Sequence, residues 1–289
     1  MDPITRIEQA LADAVATTES LGSPPKLAAA LRYSVFPGGQ RIRPRLCMAV
    51  ARACGAGNSG LPVAAAAAIE LLHCASLVHD DLPCFDDAET RRGKPSVHRV
   101  YGECLAVLAG DALIVLAFQT LVRGGTTMTA RLPLLFQIVG GAAGMPFGIA
   151  AGQAWECEPK VELSRYQQQK TGSMFAAATA AGAAASGADP EAWRMLGELL
   201  GEAYQVADDI RDVAADPQDL GKPVGRDLAL DRPSAARELG LAGAIGRLDG
   251  LVADALHSIP PCPGAIELRA NIMKEAKCFL PKELAQHAA

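Results

Sequence analysis

The chain has 289 residues, a formal net charge of −5 and 50% hydrophobic residues, but only 4% aromatic residues. A core of this composition depends on Ala, Leu, Val and Ile, which favours closely packed helices. The acidic balance excludes a general nucleic-acid surface, because such a surface needs an excess of Lys and Arg. A polyanion can still bind where metal ions or local cations supply positive charge.

Three features of the sequence predict a cytoplasmic protein with no integral membrane segment. None of the eight cysteines forms a CxxC pair, which favours buried, reduced thiols over disulfides or a zinc site. The N-terminus, MDPITRIEQALADAV, lacks the basic-then-apolar layout of a secretion signal. The most apolar stretches, residues 104–121 and 134–152, are interrupted by Asp111 and by Gln137 and Pro146 respectively. We expect both stretches to be buried core helices.

In chain order, apolar residues recur at helical spacing and strand-like alternation is scarce. Clusters of Gly and Pro break this pattern at residues 22–25, 37–39, 55–62, 124–125, 187–190 and 259–264. No linker or repeat is evident, so the prediction is one all-α domain over residues 1–289, with roughly ten or more helices. The alanine-rich stretches 64–68 and 176–185 are predicted to lie in tightly packed central helices.

The first acidic motif ends an apolar segment. Residues 69–81 (IELLHCASLVHDD) finish in Asp80 and Asp81, and Pro83 cannot continue the helix. Both carboxylates are therefore expected at a helix C-terminus, which carries partial negative charge and disfavours them. With Asp86 close behind, the segment needs cations. Mg²⁺ suits it, because this ion combines one or two carboxylates with substrate phosphate.

The second acidic motif follows the mostly apolar residues 199–207. Asp208 and Asp212 are four residues apart and share one helix face, with Asp209 beside them. An isolated acidic run is ordinarily a solvated surface. Cations follow both motifs: Arg91, Arg92 and Lys94 after the first, and Lys222 and Arg226 after the second. Paired motifs of this kind indicate a diphosphate site built from carboxylates, Mg²⁺ and cations.

The order of the motifs resembles the trans-prenyl diphosphate synthases. The matching segments are GGQRIRP (38–44), HCASLVHDDLPCFDDAETRRGKPS (73–96), KT (170–171), YQVADDIRD (204–212) and GK (221–222). Within that family the chain is most similar to bacterial geranylgeranyl diphosphate synthases of carotenoid pathways. The resemblance implies a homodimeric isoprenoid-synthase helical bundle with a central cavity lined by both motifs. It also implies head-to-tail condensation of isopentenyl diphosphate with dimethylallyl, geranyl and farnesyl diphosphates.

The resemblance further implies a role for each motif residue. The aspartates implied to hold several Mg²⁺ ions on the allylic diphosphate are Asp80, Asp81, Asp86, Asp208, Asp209 and Asp212. Arg91 is implied to grip that same diphosphate. The residues implied to bind isopentenyl diphosphate are Gln40, Arg43, His73 and Arg92. Those implied to line the site and contact the allylic leaving group are Lys170, Thr171, Gln205 and Lys222.

Two positions expected to bind substrate depart from the family pattern. Gln40 stands where the family usually has Lys, so the isopentenyl diphosphate pocket loses one cation. Gln still donates a hydrogen bond, but without the charge-assisted part of its strength, and we expect weaker affinity for this substrate. Arg232, also expected to bind substrate, stands where many relatives have Lys and keeps the charge.

Product length is expected to depend on the residues beneath the first motif. Ala75 and Ser76 are small where a bulky aromatic residue stops growth at C15 in the family, so the resemblance predicts a C20 product. Leu71 and Leu72, one turn further, are the candidate floor; if neither is the floor, longer products follow.

Other functions remain as alternatives at this point. A farnesyl or longer-chain polyprenyl diphosphate synthase would share the same motifs. A class I terpene cyclase would normally lack the second motif and the GGQRIRP segment. A non-catalytic prenyltransferase subunit would usually lose one aspartate motif. A di-iron bundle would need two Glu-x-x-His motifs, and this sequence has a single one, at residues 70–73.

Overall fold

Helices form nearly all of the regular structure in the computed structural model of this protein, which describes residues 2–57, 59–159, 163–214 and 235–277. Within these ranges the α-helices are α1 (Pro3–Ala16), α2 (Pro25–Val35), α3 (Ile42–Ala53), α4 (Gly60–Asp80), α5 (Val97–Tyr101), α6 (Glu103–Gly124), α7 (Leu132–Ala143), α8 (Ile149–Ala154), α9 (Leu163–Gln167), α10 (Ser173–Ser186), α11 (Arg194–Ala214), α12 (Ala235–His257) and α13 (Ala265–Lys277). Two short antiparallel strands, β1 (Thr90–Arg91) and β2 (Lys94–Pro95), form a hairpin. The predicted all-α class is confirmed.

Capping, proline and glycine residues account for the positions of several helix ends. The Asp2 carboxylate accepts hydrogen bonds from the backbone of Ile4 and Thr5, which caps α1. Pro25 is the first residue of α2, where its missing N–H costs no helical hydrogen bond. Gly187, with a φ of 87°, ends α10 in the left-handed conformation. The Gly and Pro clusters predicted as breaks lie at helix ends or between helices. The predicted break at residues 55–62 extends too far, because residues 60–62 already form the first turn of α4.

The two alanine-rich helices lie at the centre of the bundle. Every residue of 64–68 and of 176–185 is buried, and the prediction for both stretches is confirmed. α4 packs most extensively against α6, and α10 packs on α3, α4, α7 and α11. Contact between α10 and α3 is so close that a Cβ on Gly182 would lie 2.4 Å from the Cys47 carbonyl oxygen.

The two most apolar stretches differ from the expectation of buried core helices. Residues 134–152 divide between α7 and α8. On α6, five apolar side chains are exposed: Val107, Leu108, Ile114, Val115 and Val122. Their spacing places them on one face, called here the α6 stripe. By length and composition alone, α4 and α6 could each span a membrane, and 83% of the α4 segment but only 44% of the α6 segment is buried in the fold.

The cysteines are only partly as expected. The seven within the described ranges are all free thiols. Cys47 and Cys74 are buried, which raises the pKa of their thiols to about 12 and about 11 respectively. Three others are exposed, contrary to the expectation of burial: Cys84, Cys104 and Cys157.

Candidate active site

The first acidic motif lies at the end of α4, as predicted. α4 ends at Asp80, and the chain then folds back on the helix end. The backbone N–H of Asp86 donates to the Asp80 carbonyl at 3.0 Å, and that of Ala88 donates to the Asp81 carbonyl at 3.1 Å. The loop therefore returns Asp86 to the two aspartates that precede it.

Both of these aspartates are buried enough to change their acidity. Burial raises the pKa of the Asp80 and Asp81 carboxyls, and nearby cations oppose that rise. Lys170 Nζ lies 3.5 Å from Asp80 Oδ1, and Arg91 Nε donates to Asp81 Oδ1 at 2.9 Å. Lys170 also donates to Glu156 Oε1 at 2.7 Å. Each carboxylate thus has a basic partner beside it.

The hairpin after the motif directs Arg92 toward α4. Arg92 and Gly93 both have positive φ, 55° and 74°, the left-handed pair found in tight two-residue hairpin turns. Arg92 Nη2 forms an ion pair with Glu70 Oε1 at 3.6 Å. Lys94, in contrast, donates to the Phe36 carbonyl at 2.7 Å on the other side of the hairpin. Of the three cations noted after this motif, Lys94 therefore lies outside the site.

Arg43 and His73 form a second cationic element beside the first. Arg43 Nη1 lies 3.4 Å from His73 Nε2. Burial, followed by the charges of Arg43 and Arg92, lowers the pKa of His73 well below its usual value. The imidazole is therefore neutral and accepts from Arg43. The Arg43 guanidinium lies over the rings of Phe175 and Tyr204, at 4.7 and 5.8 Å, and its Nε is buried without a hydrogen-bond partner.

The second acidic motif lies on α11. Asp208 lines the cavity and accepts from Arg211 Nη2 at 3.2 Å. Asp209 is only 3% exposed; it accepts from Gln205 Nε2 at 3.1 Å and from the backbone N–H of Ala235 at 2.8 Å. Asp209 therefore ties α11 to the start of α12.

One cavity of about 460 Å³ receives both motifs. The predicted residues that line it are Gln40, Arg43, His73, Ser76, Asp80, Arg91, Arg92, Lys170, Thr171 and Asp208. Gln205 sits just behind, accepting from Thr171 Oγ1 at 3.2 Å. Lys170 and Thr171 belong to a π-helical turn, Gln168–Gly172, of the kind that often marks functional sites. A larger cavity, about 710 Å³, is lined by α1, α3 and α13 and holds neither acidic motif.

The remaining predicted residues lie elsewhere. Three chain-length candidates are packed in the core behind the cavity wall: Leu71, Leu72 and Ala75. Lys222, Arg232 and the side chain of Asp212 fall outside the part of the chain that the structure describes.

Sequence reasoning did not single out three charged residues of the site. Glu70 lines the cavity. Its only signal in the sequence is that it is an isolated acidic residue within the apolar segment 69–78. Arg211 lies inside the second motif, between aspartates that carry the motif's signal for metal binding. Glu156 reaches Lys170 from the turn after α8, and no motif marks it.

The donor set suits Mg²⁺ bound together with a substrate. Among the described residues, no three His, Cys, Asp or Glu side chains converge to hold a metal by themselves. Asp80 and Asp208 instead offer hard oxygen ligands at one cavity, and Asp81 follows Asp80 at the end of α4. Burial raises the pKa of Asp80 and Asp81 because their negative charge is poorly solvated. Mg²⁺ typically takes one or two carboxylates and completes its shell with water and phosphate.

Comparison with known proteins decides the family. The sequence profile of the polyprenyl synthetase family matches residues 24–244. This chain belongs to the polyprenyl synthetase family. It is 51% identical over 280 residues, 97% of each chain, to the geranylgeranyl diphosphate synthase of Cereibacter sphaeroides. It is 41% identical over 243 residues, 80% of each chain, to the farnesyl diphosphate synthase of Geobacillus stearothermophilus.

Solved structures agree with this membership in the polyprenyl synthetases. A Legionella pneumophila geranyltransferase matches with a TM-score of 0.80 and 26% identity, covering 96% of this chain and 94% of that one. The Helicobacter pylori geranyltransferase, solved with magnesium and isoprenyl diphosphate, matches with a TM-score of 0.78 and 29% identity, over 95% and 97% of the two chains. The resemblance seen in the motifs is confirmed, and with it the prenyltransferase class of enzyme.

Proposed function

We propose that this polyprenyl synthetase is a Mg²⁺-dependent geranylgeranyl diphosphate synthase that uses several Mg²⁺ ions per site. It condenses isopentenyl diphosphate with dimethylallyl, geranyl or farnesyl diphosphate, for carotenoid or related isoprenoid synthesis. The observation that carries the proposal is one cavity in which Asp80 of α4 and Asp208 of α11 both lie, among Arg43, Arg91 and Arg92. Carboxylates beside such cations match a pair of diphosphates, one held through metal and one held by guanidiniums.

Two halves of the cavity bind the two substrates. Asp80, Asp81 and Asp208 would hold Mg²⁺, which neutralises charge on the leaving diphosphate. Arg91 and Lys170 lie beside these aspartates and take the allylic diphosphate. The diphosphate of isopentenyl diphosphate lies in the other half, against the residues Gln40, Arg43, His73 and Arg92.

The reaction breaks the allylic C–O bond to give a delocalised cation and diphosphate. The double bond of isopentenyl diphosphate then attacks the cation, and the proton lost goes to the released diphosphate, so no side-chain base is needed. Thr171 and Gln205 offer oxygen dipoles near the cation. Ile42, Leu77 and Ile149 are apolar residues of the same cavity and limit the access of water, which would otherwise quench the cation.

A direct assay tests the proposal. Purified protein with Mg²⁺, isopentenyl diphosphate and farnesyl diphosphate is expected to release diphosphate and form a longer prenyl diphosphate. Asp80→Ala is expected to lower kcat by about 10²–10³-fold, the scale of losing one charge-stabilising group. A terpene cyclase would instead consume the allylic diphosphate without isopentenyl diphosphate, and a non-catalytic subunit would form no product. Either result contradicts the proposal.

A farnesyl diphosphate product is the second candidate. It is favoured by the 41% identity to a farnesyl diphosphate synthase and by the burial of Ala75 in the core rather than at the cavity. We prefer the C20 product because the relative that matches 97% of the chain, at 51% identity, is a geranylgeranyl diphosphate synthase. In addition, Ser76, which lines the cavity, has a small side chain that leaves room for a growing prenyl chain.

We also propose that the chain forms one domain and pairs as a homodimer in the cytoplasm. One core cluster includes Ile7 of α1 and Ile272 of α13, which supports a single domain. The α6 stripe is an exposed apolar surface of the kind that a second copy covers. Asp111 lies on the same face of α6, with its side chain 61% exposed, and a charge at this place disfavours lipid as the covering phase.

A further inference from the structure

A buried carboxylate lies inside the cationic part of the cavity. Glu70, on α4, is 2% exposed and lines the same cavity as Gln40, Arg43 and Arg92. A carboxylate here should repel an incoming diphosphate unless its charge is already balanced. Its surroundings show how that balance is reached.

The buried guanidinium of Arg41 balances the negative charge of Glu70. Arg41 has a φ of 52°, and its side chain turns into the protein, 2% exposed. Its Nη1 donates to Glu70 Oε1 at 2.6 Å, and its Nη2 donates to the Val35 carbonyl at 2.9 Å. Its Nε donates to Glu8 of α1 at 2.8 Å. All three guanidinium nitrogens have protein acceptors, so Arg41 is a structural cation and not a substrate ligand.

The glycines of the GGQRIRP segment make room for this arrangement. A Cβ on Gly38 would lie 2.1 Å from Arg41 Cζ, and one on Gly39 would lie 3.0 Å from Arg92 Nε. The loop between α2 and α3 is therefore fitted around two guanidiniums, one buried beneath it and one at the cavity.

Glu70 acts on two cations that line the cavity, Arg92 and Arg43. The same Oε1 that accepts from Arg41 lies 3.6 Å from Arg92 Nη2. Burial lowers the pKa of Arg43, while Tyr204 and Glu70 raise it and Arg92 lowers it further. Arg43 and Arg92 repel each other, and a carboxylate between α3 and the hairpin reduces that repulsion before substrate arrives.

We propose that Glu70, held by the buried Arg41, is a positioning residue that fixes Arg92 beside Arg43 for the diphosphate of isopentenyl diphosphate. The inference rests on the proposed function and assigns a role that the aspartate motifs do not include. Pre-orienting a long guanidinium side chain removes an ordering cost from substrate binding, and so tightens binding of the substrate that it contacts.

The chain offers a matched pair of variants. Glu70→Gln and Glu8→Gln each remove one carboxylate from Arg41, but only Glu70 also contacts Arg92. Each substrate is varied while the other is saturating. Glu70→Gln is expected to raise the KM for isopentenyl diphosphate about tenfold, equivalent to the loss of one positioned charge contact. The KM for farnesyl diphosphate is expected to stay within about twofold of wild type, and Glu8→Gln, at a 38% exposed side chain, is expected to change neither KM.

Calorimetric titration of isopentenyl diphosphate into the same proteins without metal gives a readout independent of turnover. The same tenfold weakening is expected for Glu70→Gln alone. If Glu70→Gln does not fold, Glu70→Asp replaces it, because this variant keeps the charge but draws it back from Arg92. An unchanged KM, equal rises for both substrates, or equal effects of both variants would overturn the inference. Wild-type protein that condenses no substrates would instead overturn the proposed function.

Discussion

Three aspartates of the two acidic motifs each have a cation beside them. Lys170 lies beside Asp80, Arg91 beside Asp81, and Arg211 beside Asp208. These pairs hold the carboxylates in place while metal is absent. The part of the cavity proposed to bind isopentenyl diphosphate has fewer cations available, because Arg41 is paired with Glu8 and Glu70 and because the residue at position 40 is neutral.

A cation introduced at position 40 tests whether the missing positive charge weakens the binding of isopentenyl diphosphate. Gln40→Lys is expected to lower the KM for isopentenyl diphosphate roughly three- to tenfold, since a charge-assisted hydrogen bond replaces a neutral one. Steady-state kinetics with farnesyl diphosphate saturating measure the change. The KM for farnesyl diphosphate should be unaffected. An unchanged KM for isopentenyl diphosphate would count against the assignment of this pocket.

The two neighbouring aspartates of α11 are expected to behave differently. Asp208→Ala removes a cavity carboxylate and should lower kcat by about 10²–10³-fold with little change in stability. Asp209→Ala should also lower the free energy of unfolding by about 1–3 kcal/mol, because it leaves the partly buried donors of Gln205 and Ala235 without their acceptor. Denaturant unfolding of both variants measures this difference. Equal stability of the two would contradict the structural role of Asp209.

At the scale of elements, the sequence was most informative where chemistry is local. Pro83 and the adjacent acids predicted the end of α4, and the alanine runs predicted the central helices, since both depend on neighbours in the chain. The exposure of the α6 stripe could not be predicted, because an apolar helix does not reveal which of its faces the rest of the fold covers. Glu70 was missed for the same reason, since its partners Arg41 and Arg92 come from distant segments.

The packing of α10 on α3 gives an element-scale prediction. Gly182→Ala adds a methyl group that would lie 2.4 Å from the Cys47 carbonyl oxygen, and the helices must separate to admit it. We expect a loss of about 1–3 kcal/mol in the free energy of unfolding. Gly246→Ala is the matched control, since a Cβ there meets no atom within 4 Å on α12. That control should be neutral or stabilising by up to about 1 kcal/mol. Similar chemical denaturation midpoints for the two variants would be the contrary result.

α4 also carries the prediction about product length. Ala75→Phe is expected to shorten the main product from C20 to C15 by filling the space beneath Ser76. Ala75→Ser, which adds almost no volume, should leave the product unchanged. Chromatography of the dephosphorylated alcohols measures chain length. An unaltered C20 product from a folded Ala75→Phe enzyme would show that the growing chain does not pass this position.

At the scale of the whole molecule, the α6 stripe predicts self-association. Val115→Glu places a charge in the middle of the stripe and is expected to convert a dimer into a monomer. Ile266→Glu is the control, because Ile266 is equally apolar and 84% exposed but lies on α13. Light scattering after gel filtration, without detergent, gives the mass of each variant. A wild-type monomer, or wild-type protein recovered only with lipid or detergent, would contradict the proposed dimer.

The product of the wild-type enzyme tests the central claim most directly. Protein is incubated with Mg²⁺, isopentenyl diphosphate and, separately, dimethylallyl, geranyl or farnesyl diphosphate, and product chain length is determined. We predict geranylgeranyl diphosphate as the main product with every primer, and none when Mg²⁺ is chelated. No product with any primer, or a main product other than C20, would contradict this account.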